Sequence, residues 1–445
     1  MHNNPPVILK RSSHTLSRTL ISPNALKTMY RLRDNGFMAC LVGGSVRDLL
    51  IGRTPKDFDL ATNATPAEIK KLFRNCRLVG RRFRLAHIHF KDEILELATF
   101  RKGGDQAELE ENDDSGEDLP ETHSHLQKSD EGVLLRDNLF GTPEEDAWRR
   151  DFTVNSLSYN IADFSIIDYT GGIEDLGKRI IRTIGDPDAR FSEDPVRMIR
   201  AVRLSAQLDF SIEHHSWEAI LGNFKRITLS SPARLFDELV KTLLAGSAST
   251  ALELLSTSGI LGAILPEFSC WSLEKEGNSP SKAAEWIDKS LSEGKSVPTT
   301  TLLAVLFGDY IQSIAKRLFP AGTSYQSMTD AAIAAFMNEI AGQLFIPQRT
   351  VMRLREILLL QQRMQKIPGK KPENVAARAA FPEALELLAF RASNDKTLER
   401  TLHWWQRLGP TVERAQPEAE NQNGQSKSKR GGRRRRSKRR TNQES

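Results

Sequence analysis

Asp57 and Asp59 stand two residues apart in "PKDFDLAT". Carboxylates at i and i+2 of an extended segment point the same way and repel each other. A shared cation relieves that repulsion. Mg²⁺ takes oxygen ligands, commonly one or two carboxylates completed by substrate phosphates. Two such ions can activate an attacking hydroxyl and stabilise a leaving pyrophosphate. Just upstream, "LVGGSVRDLLIG" carries the turn Gly43-Gly44 into a helix start. The N–H groups of such a start face a phosphate readily, and Arg47, one turn in, can add a charge-assisted bond. Each part has an ordinary explanation: a strand D-x-D, a tight turn, an Arg47–Asp48 surface pair worth less than ~1 kcal/mol. The combination is far more specific than its parts.

A second set lies in "FSEDPVRMIRAVRLSAQLDF". Arg197, Arg200 and Arg203 recur every three residues and form a basic ridge drifting round a helix. Asp194 is expected in the first turn, one turn from Arg197. A carboxylate acceptor and a guanidinium donor can read the edge of a base. The plainer alternative is an exposed helix with an Asp cap and solvated arginines. Arg81, Arg82 and Arg84 cluster in "LVGRRFRLAHIHF", where phosphates could pass or where water simply solvates a basic turn. In "EILELATF", alternation sets Glu96 with Ile94 on the face opposite Leu95 and Leu97. Glu96 is thus either near the aspartates or a solvent-facing edge residue. No histidine pair has a spacing that argues for zinc.

These residues need elements to hold them. "SPNALKTMYRLRDNGF" reads as a helix capped by Ser22, with Pro23 in its first turn and Gly36 at its stop. "MACLV" reads as a buried strand, "SVRDLLIG" as a helix, "DFDLA" as a second strand and "TPAEIKKLFRN" as a capped helix. "RLAHIHF" and "EILELATFR" alternate like paired strands. "RRDFTVNSLSYNI" is expected to begin a helix, and "SIIDYTGGIEDLGKRIIRTIG" to form a small hairpin region. From about residue 232 to 408 every periodic segment is helical.

The charge is uneven. The chain carries 63 basic and 57 acidic residues, a net of +6. Residues 427–440, "KSKRGGRRRRSKRR", hold ten basic residues and no acid, while residues 105–131 hold eleven acids and one basic residue, Lys128. Such segments cannot bury enough apolar surface to fold, so both are expected to be disordered. No apolar run reaches the ~18–20 residues of a membrane helix, and the N-terminus lacks a secretory signal. Three scattered cysteines offer no disulfide framework and point to the cytoplasm.

"LVGGSVRDLLIGRTPKDFDLAT", "RRDFTVNSLSYN" and "FSEDPVRMIRAVRLSAQLDF" together resemble the bacterial-type tRNA nucleotidyltransferase and poly(A) polymerase family. This family lies within the polymerase-beta-like nucleotidyltransferase superfamily, and the likeness covers roughly residues 37–245. It implies an α+β nucleotidyltransferase head with a mixed or antiparallel sheet, an all-α neck and body, and a basic tail. The boundaries expected are a flexible N-terminus 1–21, a head 22–160 with an insertion 102–132, a neck 161–245, a body 246–410 and a disordered tail 411–445. It further implies Asp57 and Asp59 as metal ligands, with Glu96 as a further ligand candidate, and Gly43, Gly44 and Arg47 at the triphosphate. Asp151 would lie near the metals or the ribose, and Arg150 on the nucleotide. Asp194 and Arg197 would meet the base edge, with Arg200 and Arg203 lining the same site. Mg²⁺, as two ions, and ATP are the cofactor and substrate implied, and RNA 3′ ends the partner of an expected monomer.

Two activities share these motifs: adenylate addition to RNA 3′ ends and CCA addition to tRNA. Three features favour the first. "GRRF" resembles the basic signature of the A-adding branch. The tail, with Arg433, Arg434, Arg435 and Arg436, suits sequence-blind RNA binding. The spacing "LLRDNLFGTPEEDAWRRDF" after a long insertion fits that branch as well. CCA addition and a non-catalytic RNA-binding adaptor are the alternatives, and intact motif residues argue against the adaptor.

Overall fold

The computed structural model describes residues 5–80, 85–102, 140–274, 279–319, 323–369 and 371–409, and the backbone of 127–128 and 134–136. Strand β1 (Val7–Leu9) opens the chain, and Ser22 then caps α1 (Pro23–Asp34) by accepting from the N–H groups of Asn24 and Ala25. Ala25, Met29 and Leu32 give that helix a buried face at helical spacing. β2 (Ala39–Val42), buried at all four positions, leads through Gly43 into α2 (Gly44–Leu50). Next come β3 (Leu60–Thr62) and α3 (Pro66–Leu72), whose Thr65 and Glu68 form a capping box. β4 (Cys76–Val79), β5 (Leu85–His89) and β6 (Ile94–Thr99) follow, then a ribbon of β7 (Gln127–Lys128) and β8 (Leu134–Arg136). A second capping box, Thr142 with Glu145, starts α4 (Pro143–Trp148).

β9 (Ser158–Asn160) and β10 (Ile166–Asp168) complete one mixed sheet in the order β1-β10-β9-β2-β3-β6-β5-β4. β2 is antiparallel to both β3 and β9, whereas β3 runs parallel to β6. The head core packs around this sheet. α5 (Gly172–Lys178) begins where the buried Asp168 carboxylate accepts from the N–H groups of Thr170, Gly171, Gly172 and Ile173, at 2.8–3.0 Å. Beyond it β11 (Ile180–Ile181) pairs in parallel with β12 (Ser211–Ile212), and α6 (Pro187–Glu193), α7 (Val196–Leu208), α8 (His214–Asn223) and α9 (Pro232–Leu243) build the neck.

The body is helical throughout its described residues: α10 (Ala248–Thr257), α11 (Ile260–Ile264), α12 (Pro266–Glu274), α13 (Ser279–Ser292), α14 (Thr299–Leu318), α15 (Tyr325–Ile340), α16 (Gln348–Met364), α17 (Glu373–Ala376), α18 (Phe381–Asn394) and α19 (Glu399–Leu408). Neck and body share one core, continuous from Phe152 to Trp405. Among the described residues, no helix is long and apolar enough to cross a membrane.

Several expectations change. The N-terminus is not free: β1 pairs with β10, and Leu16 is fully buried. The sheet runs past residue 160, because β10 belongs to it. "RRDFTVNSLSYNI" does not begin a helix. Residues 153–155 make one 3₁₀ turn, and Leu157, Tyr159 and Ile161 are buried at period two, which is strand spacing. The hairpin region holds α5 instead, since Asp168 ties up the amides that start a helix. Asp57 and Asp59 lie in the extended lead-in to β3 rather than inside it. Arg81, Arg82 and Arg84, residues 103–126 of the insertion and the tail with Arg433 to Arg436 lie outside the described residues.

Candidate active site

The carboxylate pair sits at the mouth of the central strands. Asp59's carbonyl accepts from the Val42 N–H at 3.0 Å, so the lead-in to β3 is laced to the end of β2 where the glycine turn begins. Gly43 has φ +75° and ψ −143°, a conformation open essentially to glycine. A methyl group there would stand 3.1 Å from Arg150 Nη1 and 3.9 Å from Asp59 Oδ2. The turn therefore brings Asp59 and Arg150 to one small concavity.

Parallel pairing of Leu60 with Leu97 sets Glu96 beside Asp59 on the same face. Across β5, His87 is directly opposite Glu96, with Nε2 3.8 Å from Oε1. The surface of Asp59 stays open, but its carboxyl is withdrawn from bulk water by the surrounding turn. That desolvation, then Glu96, raises its pKa; Arg150 opposes them and Asp57 adds to the rise. Among the described residues no three carboxylate, imidazole or thiol groups close on a common point. The Asp57–Asp59 pair suits Mg²⁺ all the same, because that ion fills its shell from substrate phosphates and water.

Arg47 is buried under the turn. Its Nε and Nη2 hold Asp48 at 2.8 and 2.7 Å, and Nη1 donates to Asn155 Oδ1 at 2.5 Å. It is thus a desolvated, fully partnered ion pair rather than a helix-surface one. Arg150 donates to Asp146 Oδ2 through Nε and Nη2 and to the Asn155 carbonyl through Nη1.

Asp151 is buried in the seam between head and neck. Its Oδ1 accepts from the Phe152 N–H at 2.8 Å and its Oδ2 meets Arg200 Nη2 at 2.6 Å. Burial pushes its pKa up, but Arg200, the Phe152 N–H, Asn155 and Arg197 outweigh that and hold the carboxyl below its usual range. Asp194 lies just before α7, not in its first turn, at the break made by Pro195. One oxygen accepts from the Val196 N–H at 3.2 Å and the other from Arg234 Nη2 at 2.9 Å.

The predicted ridge of arginines is split three ways. Arg197 Nη1 donates to Glu193 and to the Arg190 carbonyl, both at 3.0 Å. Arg200 goes to Asp151. Arg203 Nε goes to the buried Glu238 of α9 at 2.6 Å. Arg197 is thus tied to α6, Arg200 joins α7 to the head, and Arg203 braces α7 on α9. Sequence reasoning missed Asn155, Arg190 and Arg234. Arg190 Nη2 donates to the carbonyls of Arg149 and Arg150, at 2.7 and 2.6 Å, and so clamps α6 onto the head. Asn155 stood inside the "RRDFTVN" motif; Arg190 and Arg234 carry no local spacing signal.

Comparisons with known proteins follow the same division. The model of the poly A polymerase head domain matches residues 39–182. That of a probable RNA and SrmB-binding site of polymerase A matches residues 209–271, and that of the polymerase A arginine-rich C-terminus matches residues 321–441. Poly(A) polymerase I of Salmonella typhi is 40% identical over 405 residues, spanning 89% of this chain and 84% of that protein. Poly(A) polymerase I of Haemophilus influenzae is 37% identical over 410 residues, spanning 89% and 87%. The solved Bacillus stearothermophilus CCA-adding enzyme in complex with CTP shares the fold, with a TM-score of 0.57 and 24% identity over 86% of this chain and 83% of that one.

Proposed function

This chain belongs to the poly(A) polymerase I family of nucleotidyltransferases, and on that premise we propose that it adds AMP from ATP to RNA 3′-hydroxyl ends, without a template, releasing pyrophosphate. The observation that carries this reading is the Gly43 turn, against which Asp59 and Arg150 both lie. It puts a carboxylate for a metal and a cation for a phosphate within one nucleotide's reach.

Asp57 and Asp59 would hold Mg²⁺, with Glu96 beside Asp59 as a further acceptor. Two bound ions would lower the proton affinity of the attacking hydroxyl and neutralise charge on the departing pyrophosphate. The Gly43 N–H is taken by the Leu157 carbonyl, at 3.2 Å, so the turn would offer the triphosphate the Gly44 N–H and, through Gly43's lack of a side chain, room to approach. Arg150 supplies its charge from the other side of the turn. Arg47 acts by holding Asn155 and Asp48, which fixes the helix under the turn. Arg197 and Asp194 face the base, and their partners Glu193 and Arg234 fix the direction of each donor and acceptor. Fixed donors select one base edge without a template. Asp151 and Arg200 keep the neck side of the pocket aligned with the head side. Arg433 to Arg436 supply sequence-blind affinity for RNA phosphates. Such tailing would serve RNA processing and decay in the cytoplasm, a compartment that suits three free thiols.

One assay tests the reading. The protein is incubated with Mg²⁺ and either a generic RNA or a tRNA lacking its CCA end, with ATP and CTP singly and together. A long A-tract from ATP is expected. Completion of CCA on truncated tRNA, or no incorporation at all, overturns it.

A further inference from the structure

Three large apolar side chains are exposed where neck meets body: Leu229 at 74%, Phe345 at 59% and Met352 at 51%. Their proximity follows from the backbone. The Phe345 N–H donates to the carbonyl of Pro232 at 3.2 Å, pinning the loop before α16 to the start of α9. Leu229 ends a 3₁₀ turn three residues before Pro232, so the chain holds it within ~10 Å. Met352 lies on the first turns of α16, on the same side as Arg349 three residues earlier. Lys225, Arg226 and Arg349 are exposed around these groups. Arg226 and Arg349 have no ion-pair or hydrogen-bond partner among the described residues.

An apolar patch this exposed signals a partner. Unpaired like charges set among the apolar groups disfavour a second copy of the chain, since the core of a protein interface is depleted of charge. They suit a single-stranded polyanion, which is bound by aromatic faces for its bases and cations for its phosphates. The patch is also tied through α9 to Asp194. Arg234, which holds Asp194, is two residues beyond Pro232 on the same helix. By chain geometry, Phe345 is ~15 Å from the Asp194 carboxyl. We propose that Phe345, flanked by Arg226 and Arg349, stacks a base of the RNA strand a few nucleotides before its growing 3′ end. Phe345 is then a positioning residue: it holds the strand in register while the terminal hydroxyl turns into the active site. This rests on the reading of the chain as an RNA-extending enzyme.

The test separates the two. RNAs carrying 2-aminopurine at each of the last eight positions in turn are bound to the full chain without ATP. Quenching confined to a few adjacent positions is expected, lost in Phe345→Ala and kept in Phe345→Trp. In extension assays, Phe345→Ala raises KM for RNA about tenfold, leaving KM for ATP and kcat within about twofold. Arg349→Ala lowers the salt slope of RNA binding by about one. A Phe345→Ala variant with wild-type quenching and KM overturns the proposal, as does one that instead converts a dimer to a monomer in sedimentation. Because quenching is read without catalysis, failed extension would count against the proposed activity and leave the stacking result standing.

Discussion

Asp59 and Asp151 are both carboxylates of the candidate site, and the protein treats them oppositely. Asp59 lies against Glu96 and Asp57, and its pKa is raised. Asp151 is buried against Arg200, and its pKa is lowered. The same division separates the two halves of the site. On the head face acids crowd together, with Arg150 the cation acting on Asp59. In the neck the arginines around Asp194 and Asp151 have carboxylate partners: Arg197 with Glu193, Arg200 with Asp151, Arg203 with Glu238 and Arg234 with Asp194. One half has its guanidinium groups held in place by paired carboxylates. The other keeps repulsion that Arg150 offsets in part, and a bound cation, as proposed, would relieve the rest.

The largest expected effect tests the unbalanced half. Asp57→Ala should cut AMP incorporation by roughly 10³-fold or more, because metal stabilisation of transition-state charge is worth several kcal/mol. RNA binding, measured by anisotropy, should change little. Wild-type extension by this variant would break the comparison at its root. Asp151→Asn tests the balanced half and should act on folding as well as activity. It removes the charged partner of Arg200 and weakens a buried network, costing about 1–2 kcal/mol in urea unfolding, with Arg200's partial exposure keeping the figure low. If Asp151→Asn lost activity at unchanged stability, Asp151 would belong with the metal acids instead.

Arg234→Ala should have a smaller and more selective effect. Without it, one Asp194 oxygen loses its fixed partner and is free to turn. Discrimination of ATP over CTP, as the ratio of kcat/KM values, should fall about tenfold, the worth of one charge-assisted bond. An unchanged ratio would mean that Arg197 and Glu193 alone set the base edge.

The unbalanced half was far more legible in the sequence than the balanced one. Asp57, Asp59, Gly43 and Gly44 were singled out by their spacing alone, because they are neighbours in sequence. Glu96 was reachable through strand alternation, although only the parallel β3–β6 register sets it beside Asp59. The neck was read correctly as helix, but its arginines were read as one ridge. A three-residue repeat drifts round a helix, so each arginine meets a different element: α6, the head and α9. Those partners, from Glu193 to Glu238, are chosen by tertiary packing and leave no local pattern. β9 was missed for a similar reason. Its short alternating run follows "RRDFT" without a turn signal, and its place between β2 and β10 is fixed by partners far away in the chain.

The smallest effect is the one that compares the two aspartates directly, through pH. An ordinary aspartate titrates near 3.8. Asp59 in the folded chain takes up its proton more readily than that. Above 3.8 the unfolded chain ionises first, so folding is progressively disfavoured until pH passes the folded value, and the penalty is constant beyond it. Asp59→Asn removes the penalty. Its Tm advantage over wild type, about a degree, should therefore be negligible near pH 4 and full at pH 7. Asp151 runs the other way: its folded pKa lies below 3.8, so its stabilisation is full above 3.8 and is lost as pH falls through the folded value. The deficit of Asp151→Asn should thus be undiminished from pH 5 to 7. Millimolar Mg²⁺ at pH 7 separates the halves further. It should erase or reverse the advantage of Asp59→Asn, because wild type then gains the ion, and leave the deficit of Asp151→Asn as it was. A Mg²⁺ response of equal size in both variants would mean that the ion reaches the neck as well, and that the two halves are not electrostatically separate.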